Sequence, residues 1–248
     1  MITQTIKKHK LPTIYKHNKL NTANFGNFTL NDYQVFLHLV SKICGINNNL
    51  EYLKSQDLLR EYKLTAKEFS VVFGVSLDNC YTLLKQAVDK LMKTDIKVEK
   101  LELRETWRIN ICSMAKYNKK DGYITIQFTD SIMPYLTQVR ARFMHYHIKE
   151  ISSFRSLYTT RLYELIMEFK STGFCVKSIT SLREILAVGD NYKLYGHFKA
   201  KTINHACIEI NRIYPEINLS FEEIKEGRKV VKIQFTFNKF SPLLSLYN

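Results

Sequence analysis

The chain has 248 residues, 45% of them hydrophobic, and a formal charge of +14. That length suits one large or two small domains, and the apolar share is enough for a packed core, which argues against global disorder. The charge is +7 in residues 1–130 (20 basic, 13 acidic) and +7 in the rest (17 and 10), so the excess belongs to both halves and marks attraction to polyanions rather than a charged tail.

Residues 1–28 are polar and basic, with Lys7, Lys8, Lys10, Lys16 and Lys19 and no helical periodicity, and read as a flexible arm. Leu30, Tyr33, Phe36, Leu37, Val40 and Ile43 then recur at the spacing of one helical face, predicting a helix over 29–43 capped by Thr29 or Asn31. A short helix over 65–74 ends at Gly74. The helix of Leu77–Lys93 follows, with Ser76 or Asp78 as its cap. Two β-prone runs follow, turning at Asp121-Gly122.

Mixed signals around Pro134 place a linker near 130–145. The same order then returns: a long helix over 153–170, a short one over 178–189 ending at Gly189, a helix over 195–213, and a hairpin over 222–237 turning at Glu226-Gly227. A long helix, a short helix, a turn, a groove-sized helix and strands, written twice, predict an α+β fold of two tandem winged-helix domains. The bounds read as an arm at 1–28, domains at 29–135 and 136–240, and a tail at 241–248.

In each unit the helix after the turn is amphipathic, and its outward residues are the candidate contacts. In the second unit Phe198, Ile203, Ala206, Ile210 and Ile213 supply the inward face. His197, Lys199, Lys201, Asn204, His205 and Arg212 fall outside or at its borders. Asn and Lys carry the donors and acceptors that base edges require, and Lys grips phosphate equally well. Lys225, Arg228, Lys229 and Lys232 make the adjoining wing basic. In the first unit Asn79, Thr82 and Lys85 face outward, in a less basic setting.

Four segments together carry a family resemblance: SSFRSLYTTRLYELIMEF, SLREILAV, YKLYGHFKAKTINHACIEIN and FEEIKEGRKVVKIQFTF. Ser156, Tyr158, Thr159, Arg161, Leu162, Tyr163 and Glu164 form the most recognisable pattern, and Tyr195 to Lys199 a second. The chain resembles the replication initiator (Rep) proteins of iteron-containing plasmids over residues 25–238. The resemblance implies binding of double-stranded DNA at directly repeated origin sites and opening of nearby A+T-rich DNA with host factors such as a helicase and an origin-binding initiator. It also implies a homodimer that represses its own promoter. The principal groove contacts carry over to Lys199–Arg212. Arg161, in the most recognisable motif, is read as a phosphate contact, with packing in the interior as an equal alternative.

Two alternatives remain: a winged-helix transcription regulator, and a metal-dependent nicking initiator. The second would use His145 and His147 to hold a divalent ion and a tyrosine to attack DNA. Three residues are a weak match, and two ordinary histidines explain them better. There is no G-x-x-x-x-G-K-[ST] or G-x-G-x-x-G loop, so a binding protein without cofactor or metal is expected, not an enzyme. The five cysteines are widely spaced without a C-x-x-C pair, and no apolar run is long enough to span a bilayer. Reduced thiols in a cytoplasmic protein away from the membrane are therefore expected.

Overall fold

The computed structural model describes residues 13–18, 20, 23, 25, 27–43, 56, 58–100, 104–137 and 143–239. In the first unit, helix α1 (Leu30–Ser41) starts at a reciprocal cap. The Thr29 hydroxyl accepts from the Asp32 amide, and the Asp32 carboxylate accepts from the Thr29 amide at 2.7 Å. Every residue from Asp32 to Val40 is buried, so α1 is a core helix rather than a one-faced surface helix. Helix α2 (Ala66–Phe73) repeats the device with Thr65 and Glu68 and stops at Gly74, whose φ of +67° is left-handed backbone that glycine adopts without Cβ strain. Helix α3 (Leu77–Leu91) follows, its N-cap Ser76 making no side-chain hydrogen bond.

Strands β2 (Glu61–Thr65), β5 (Cys112–Asn118) and β6 (Tyr123–Phe128) form an antiparallel sheet in the order β2-β6-β5. Strands β3 (Asp95–Lys100) and β4 (Glu105–Asn110) form a separate hairpin. The β5–β6 turn falls at Asp121-Gly122 as predicted, with Gly122 at φ +62°. In the second unit, helix α6 (Leu157–Glu168) is capped by Ser156 and helix α7 (Ile179–Ile185) by Ser178. Strands β8 (Phe174–Ser178), β9 (Ser220–Glu226) and β10 (Lys229–Thr236) pair in the order β8-β10-β9. Both sheets place the strand before the short helix against the last strand of the hairpin. That shared order makes each unit a winged helix in an α+β fold.

Strands β2 and β8 are absent from the sequence reading. Each is five residues long, so a period of two has little room to show. Where it is described, the stretch read as a linker contains helix α4 (Met133–Thr137) and the start of strand β7 (Phe143–His147), and helix α5 (Ile148–Ser152) follows. Residues 1–12 and 240–248 lie outside the described residues, and with them Lys7, Lys8 and Lys10.

The arm expected over 1–28 needs correction. Residues Thr13–His17 form strand β1, antiparallel to β7 in the register Thr13↔His147 to His17↔Phe143. Ile14, Lys16, Leu20, Ala23, Phe25 and Phe28 are buried, so this segment is part of the core. The reason is electrostatic as well as apolar. Lys16 reaches Glu164 at 2.6 Å and donates to the Tyr33 hydroxyl at 2.8 Å. Tyr33 and Tyr146 donate to the two carboxylate oxygens of Glu164 at 2.7 and 2.6 Å. Burial pulls the Lys16 ammonium down to about 8 despite Glu164. Burial also pushes the Glu164 carboxyl up, but Lys16 and Arg161 outweigh it and hold the group below the usual carboxylate range.

Four cysteines, Cys80, Cys112, Cys175 and Cys207, are buried thiols without disulfide partners, and Cys44 lies outside the described residues. Burial pushes Cys112, Cys175 and Cys207 up to about 12, which leaves them protonated and inert at neutral pH. Among the described residues no helix is long and apolar enough to cross a membrane.

On α1, His38 is buried against Phe69 and Phe73, and its Nδ1 has no hydrogen-bond partner among the described residues. Burial, reinforced by Lys42, pulls its pKa from 6.5 to about 4. Below pH 6.5 the unfolded chain binds a proton that the native state refuses. Stability is therefore expected to fall as the pH drops from 6.5 towards 4, by at most about 3 kcal/mol. His38→Phe should flatten that decline in urea unfolding at pH 7.5, 6 and 5; an identical acid slope in the variant would refute it.

Candidate nucleic-acid interface

The helix predicted over 195–213 is present as one continuous rod. Helix α8 (Tyr195–Phe198) passes through a π-helical segment (Lys199–Asn204) into helix α9 (His205–Ile213) without leaving right-handed backbone. Phe198, Ile203, Ala206 and Ile210 are fully buried, as the spacing required, and Ile213 is partly buried. The Thr202 hydroxyl donates to the Phe198 carbonyl at 2.6 Å, supplying a partner where the wider turn loosens the backbone ladder.

The opposite face carries His197, Lys201, His205 and Arg212, all exposed, with Asn204 half-buried at the border. Between them Ile208 is 69% exposed, a large apolar side chain in a cationic setting that helical spacing alone does not single out. Arg212 and His205 approach Glu209 at 4.0 and 3.8 Å. Glu209 itself faces inward, accepting from the Arg155 amide at 2.7 Å and the Thr159 hydroxyl at 2.5 Å, and so joins this helix to the start of α6.

Lys199 sits differently. Its ammonium is 2.8 Å from Glu223 on β9, and the Tyr195 hydroxyl donates to the same oxygen at 2.7 Å. Those two bonds hold Glu223 below the usual carboxylate range and clamp the start of the helix to the wing. The wing turns at Gly227 (φ +59°), and Lys225, Arg228, Lys229 and Lys232 are exposed along it. Ahead of the helix, Arg183 donates to the carbonyls of Asn191, Tyr192 and Lys193 at 3.3, 2.6 and 3.1 Å and lies 4.5 Å over the Phe198 ring. It fixes the turn that aims the helix, a role that its segment SLREILAV does not single out in the sequence reading.

In the first unit Asn79, Thr82 and Lys85 are exposed on α3, with Lys85 6.0 Å over the Tyr117 ring. Lys90 pairs with Asp32 and so fastens α3 to α1.

Arg161 is a correction. It is 1% exposed, donating to the Ile185 carbonyl at 2.6 Å and to the Tyr33 hydroxyl at 2.7 Å, with Glu164 at 3.5 Å. Phe25 and Tyr33 face its guanidinium at 5.2 Å. A side chain this enclosed belongs to the joint between the units and presents nothing to a phosphate.

His145 and His147 both lie on β7. Tyr146 between them is fully buried and bonded to Glu164, so it is no surface nucleophile. Among the described residues no group of three His, Cys, Asp or Glu could hold a metal ion.

Two family descriptions match the chain in tandem. Residues 13–167 match "Initiator Replication protein, WH1", and residues 178–237 match "Initiator Rep protein, WH2". The chain belongs to the initiator replication (Rep) protein family. The WH1 match runs through α6, and so includes the joint around Arg161 and Glu164.

Two Rep relatives come from Escherichia coli. The PI protein is 27% identical over 149 residues, 52% of this chain and 48% of that protein. The Replication initiation protein is 21% identical over 150 residues, 60% of this chain and 46% of that protein. The chain thus spans about half the length of the curated relatives it matches. The solved Pi initiator protein, in complex with iteron DNA, superposes with a TM-score of 0.72 at 23% identity, covering 94% of this chain and 99% of that one. At that identity the likeness establishes the tandem winged-helix fold of this Rep protein. The family is described as an initiator of replication.

Proposed function

We propose that this chain is a plasmid replication initiator that binds directly repeated origin sequences in double-stranded DNA through its two winged helices and promotes opening of the neighbouring duplex. The observation that carries this is the second unit's exposed helix face, with Lys201, His205 and Arg212, beside a wing bearing Arg228 and Lys229, in a chain of the Rep family. Base edges are read by such a helix, while the wing cations hold phosphates and fix its register. His197, Asn204, Lys225 and Lys232 extend the surface, Lys199 steadies it through Glu223, and Asn79, Thr82 and Lys85 form the weaker contact of the first unit. The two-unit division at 29–135 and 136–240 belongs to this reading.

The mechanism is binding rather than catalysis. Two joined domains on successive groove segments favour whichever DNA shape satisfies both, so binding energy is spent on bending or unstacking nearby A+T-rich steps. A homodimer repressing its own promoter, recruitment of host helicase and origin-binding initiator, and cytoplasmic location complete the proposal. The Pi initiator bound to iteron DNA is the precedent for the ligand.

Footprinting the protein on the DNA around its own gene, with Mg²⁺ present and products run on a denaturing gel, tests this. Regularly spaced protection of direct repeats without strand breaks is expected. One protected operator would make it a regulator, and a nick with protein attached would make it an enzyme.

The wing makes a separate expectation. Arg228→Ala with Lys229→Ala should reduce the slope of log affinity against log salt by about 2, since each neutralised phosphate contributes about 0.9. An unaltered slope would remove the wing from the interface.

A further inference from the structure

We propose that the junction between the two units is itself a binding site for a phosphodiester of the DNA backbone, with Arg155 at its centre. This rests on the DNA-binding reading and extends it to a residue outside both reading helices and both wings.

Arg155 lies in the short connection between α5 and α6, next to the cap residue Ser156. Its backbone is pinned, because its amide donates to the buried Glu209 carboxylate at 2.7 Å. Its side chain is exposed, and its guanidinium makes no hydrogen bond or ion pair with any described residue. A fixed backbone carrying an open guanidinium is a planar fork presented to solvent, the geometry that accepts a phosphate in two parallel hydrogen bonds.

Two open clefts meet at this residue. One, of about 470 Å³, is also lined by Lys201 and His205 of the second unit's reading helix. The other, of about 780 Å³, runs from Gly74 and Val75, in the turn that enters α3, to Arg212 at the far end of that reading helix. Both units line both clefts. Arg155 is thus flanked by Lys201 and His205 across one cleft and by Arg212 across the other. The acid beside them, Glu209, is 5% exposed and stands 3.8 Å from His205 and 4.0 Å from Arg212, while its two oxygens accept from the Arg155 amide and the Thr159 hydroxyl, leaving the Arg155 guanidinium and Lys201 outside its reach. The junction so presents more positive charge than the surrounding protein neutralises, and that charge attracts an anion. A duplex reaching from the turn of the first unit to the reading helix of the second carries its backbone across this cleft. A free phosphate shares the chemistry, so the test separates the two.

Full-length protein and Arg155→Gln are compared on a directly repeated origin fragment over about 50 to 200 mM salt, with Arg155→Lys as the charge-retaining variant. For Arg155→Gln the salt slope should shrink by about one, and affinity at physiological salt should fall roughly tenfold. Arg155→Lys should keep the slope, and the thermal midpoint of all three proteins should agree, because the side chain is exposed. An unaltered slope with wild-type affinity overturns the site and leaves the DNA-binding reading standing. Arg155-dependent thermal stabilisation by inorganic phosphate without DNA, alongside an unaltered DNA slope, overturns it in favour of a free anion. Failure of the wild-type protein to prefer the repeats removes the DNA-binding reading, and this proposal with it.

Discussion

Replacing Glu164 with glutamine is expected to destabilise the protein by about 3–5 kcal/mol, seen as a large drop in the urea midpoint. Glu164 is the carboxylate that pairs with both Lys16 and Arg161, and all three side chains are fully buried. Both of its oxygens accept a tyrosine hydroxyl, Tyr33 at 2.7 Å and Tyr146 at 2.6 Å. Glutamine keeps the shape but removes the carboxylate paired with two enclosed cations, and it replaces one acceptor oxygen with a donor amide. The cost of an uncompensated charge in low dielectric dominates every other change at this position. Four elements meet here, β1, α1, β7 and α6, so losing the cluster should also free the N-terminal strand for early proteolysis. Glu61→Gln, which breaks the exposed pair with Lys116, serves as the control and should change stability by under about 1 kcal/mol. Equal effects of the two substitutions would show that the buried cluster does not hold the units together.

The largest effect on binding is expected from Lys199→Ala combined with Lys201→Ala, roughly a 100-fold loss of affinity for repeat DNA at physiological salt. The two lysines contribute differently. Lys201 is exposed on the π-helical turn, where its ammonium can reach a base edge or a phosphate. Lys199 holds Glu223, so its loss loosens the reading helix from the wing and leaves the carboxylate with the Tyr195 hydroxyl and, at 3.9 Å, Lys225. Measured singly, Lys201→Ala should lower affinity with little change in thermal midpoint, whereas Lys199→Ala should lower both. If Lys201 reads a base, the ratio of specific to non-specific binding falls; if it grips phosphate, both decline together. Unchanged affinity in the double variant would move the interface away from this helix.

Local signals in the sequence were sufficient where the physics is local. The Thr65–Gly74 helix appears with its cap and left-handed stop in place, and both hairpin glycines turn where they were expected. The buried face of the 195–213 helix follows from its spacing, because a helix of that period buries one stripe whatever it packs against. The Ser156–Glu164 pattern was equally legible, and it located the family, yet it left the role of Arg161 open between packing and phosphate contact. Ser156 caps α6 and Thr159 bonds Glu209, while Arg161 and Glu164 serve the interior. A sequence window shows that an arginine sits on a helix; it does not show what covers it.

The same limit explains Lys16 and Arg155. Lys16 lies in a stretch of lysines that reads as a solvated arm, and only the pairing of β1 with β7, across some 130 residues of chain, brings it onto Glu164. Arg155 lies in a segment of the family resemblance but just outside its recognisable pattern, and its place between two clefts exists only once the units are packed. The sequence by itself determined the repeated winged-helix order, the amphipathic faces and the basic excess of both halves, since these follow from backbone propensity, periodicity and composition. Only the tertiary structure decided which cations are sealed into the joint and which face solvent, because burial of a charge depends on partners far away in the chain.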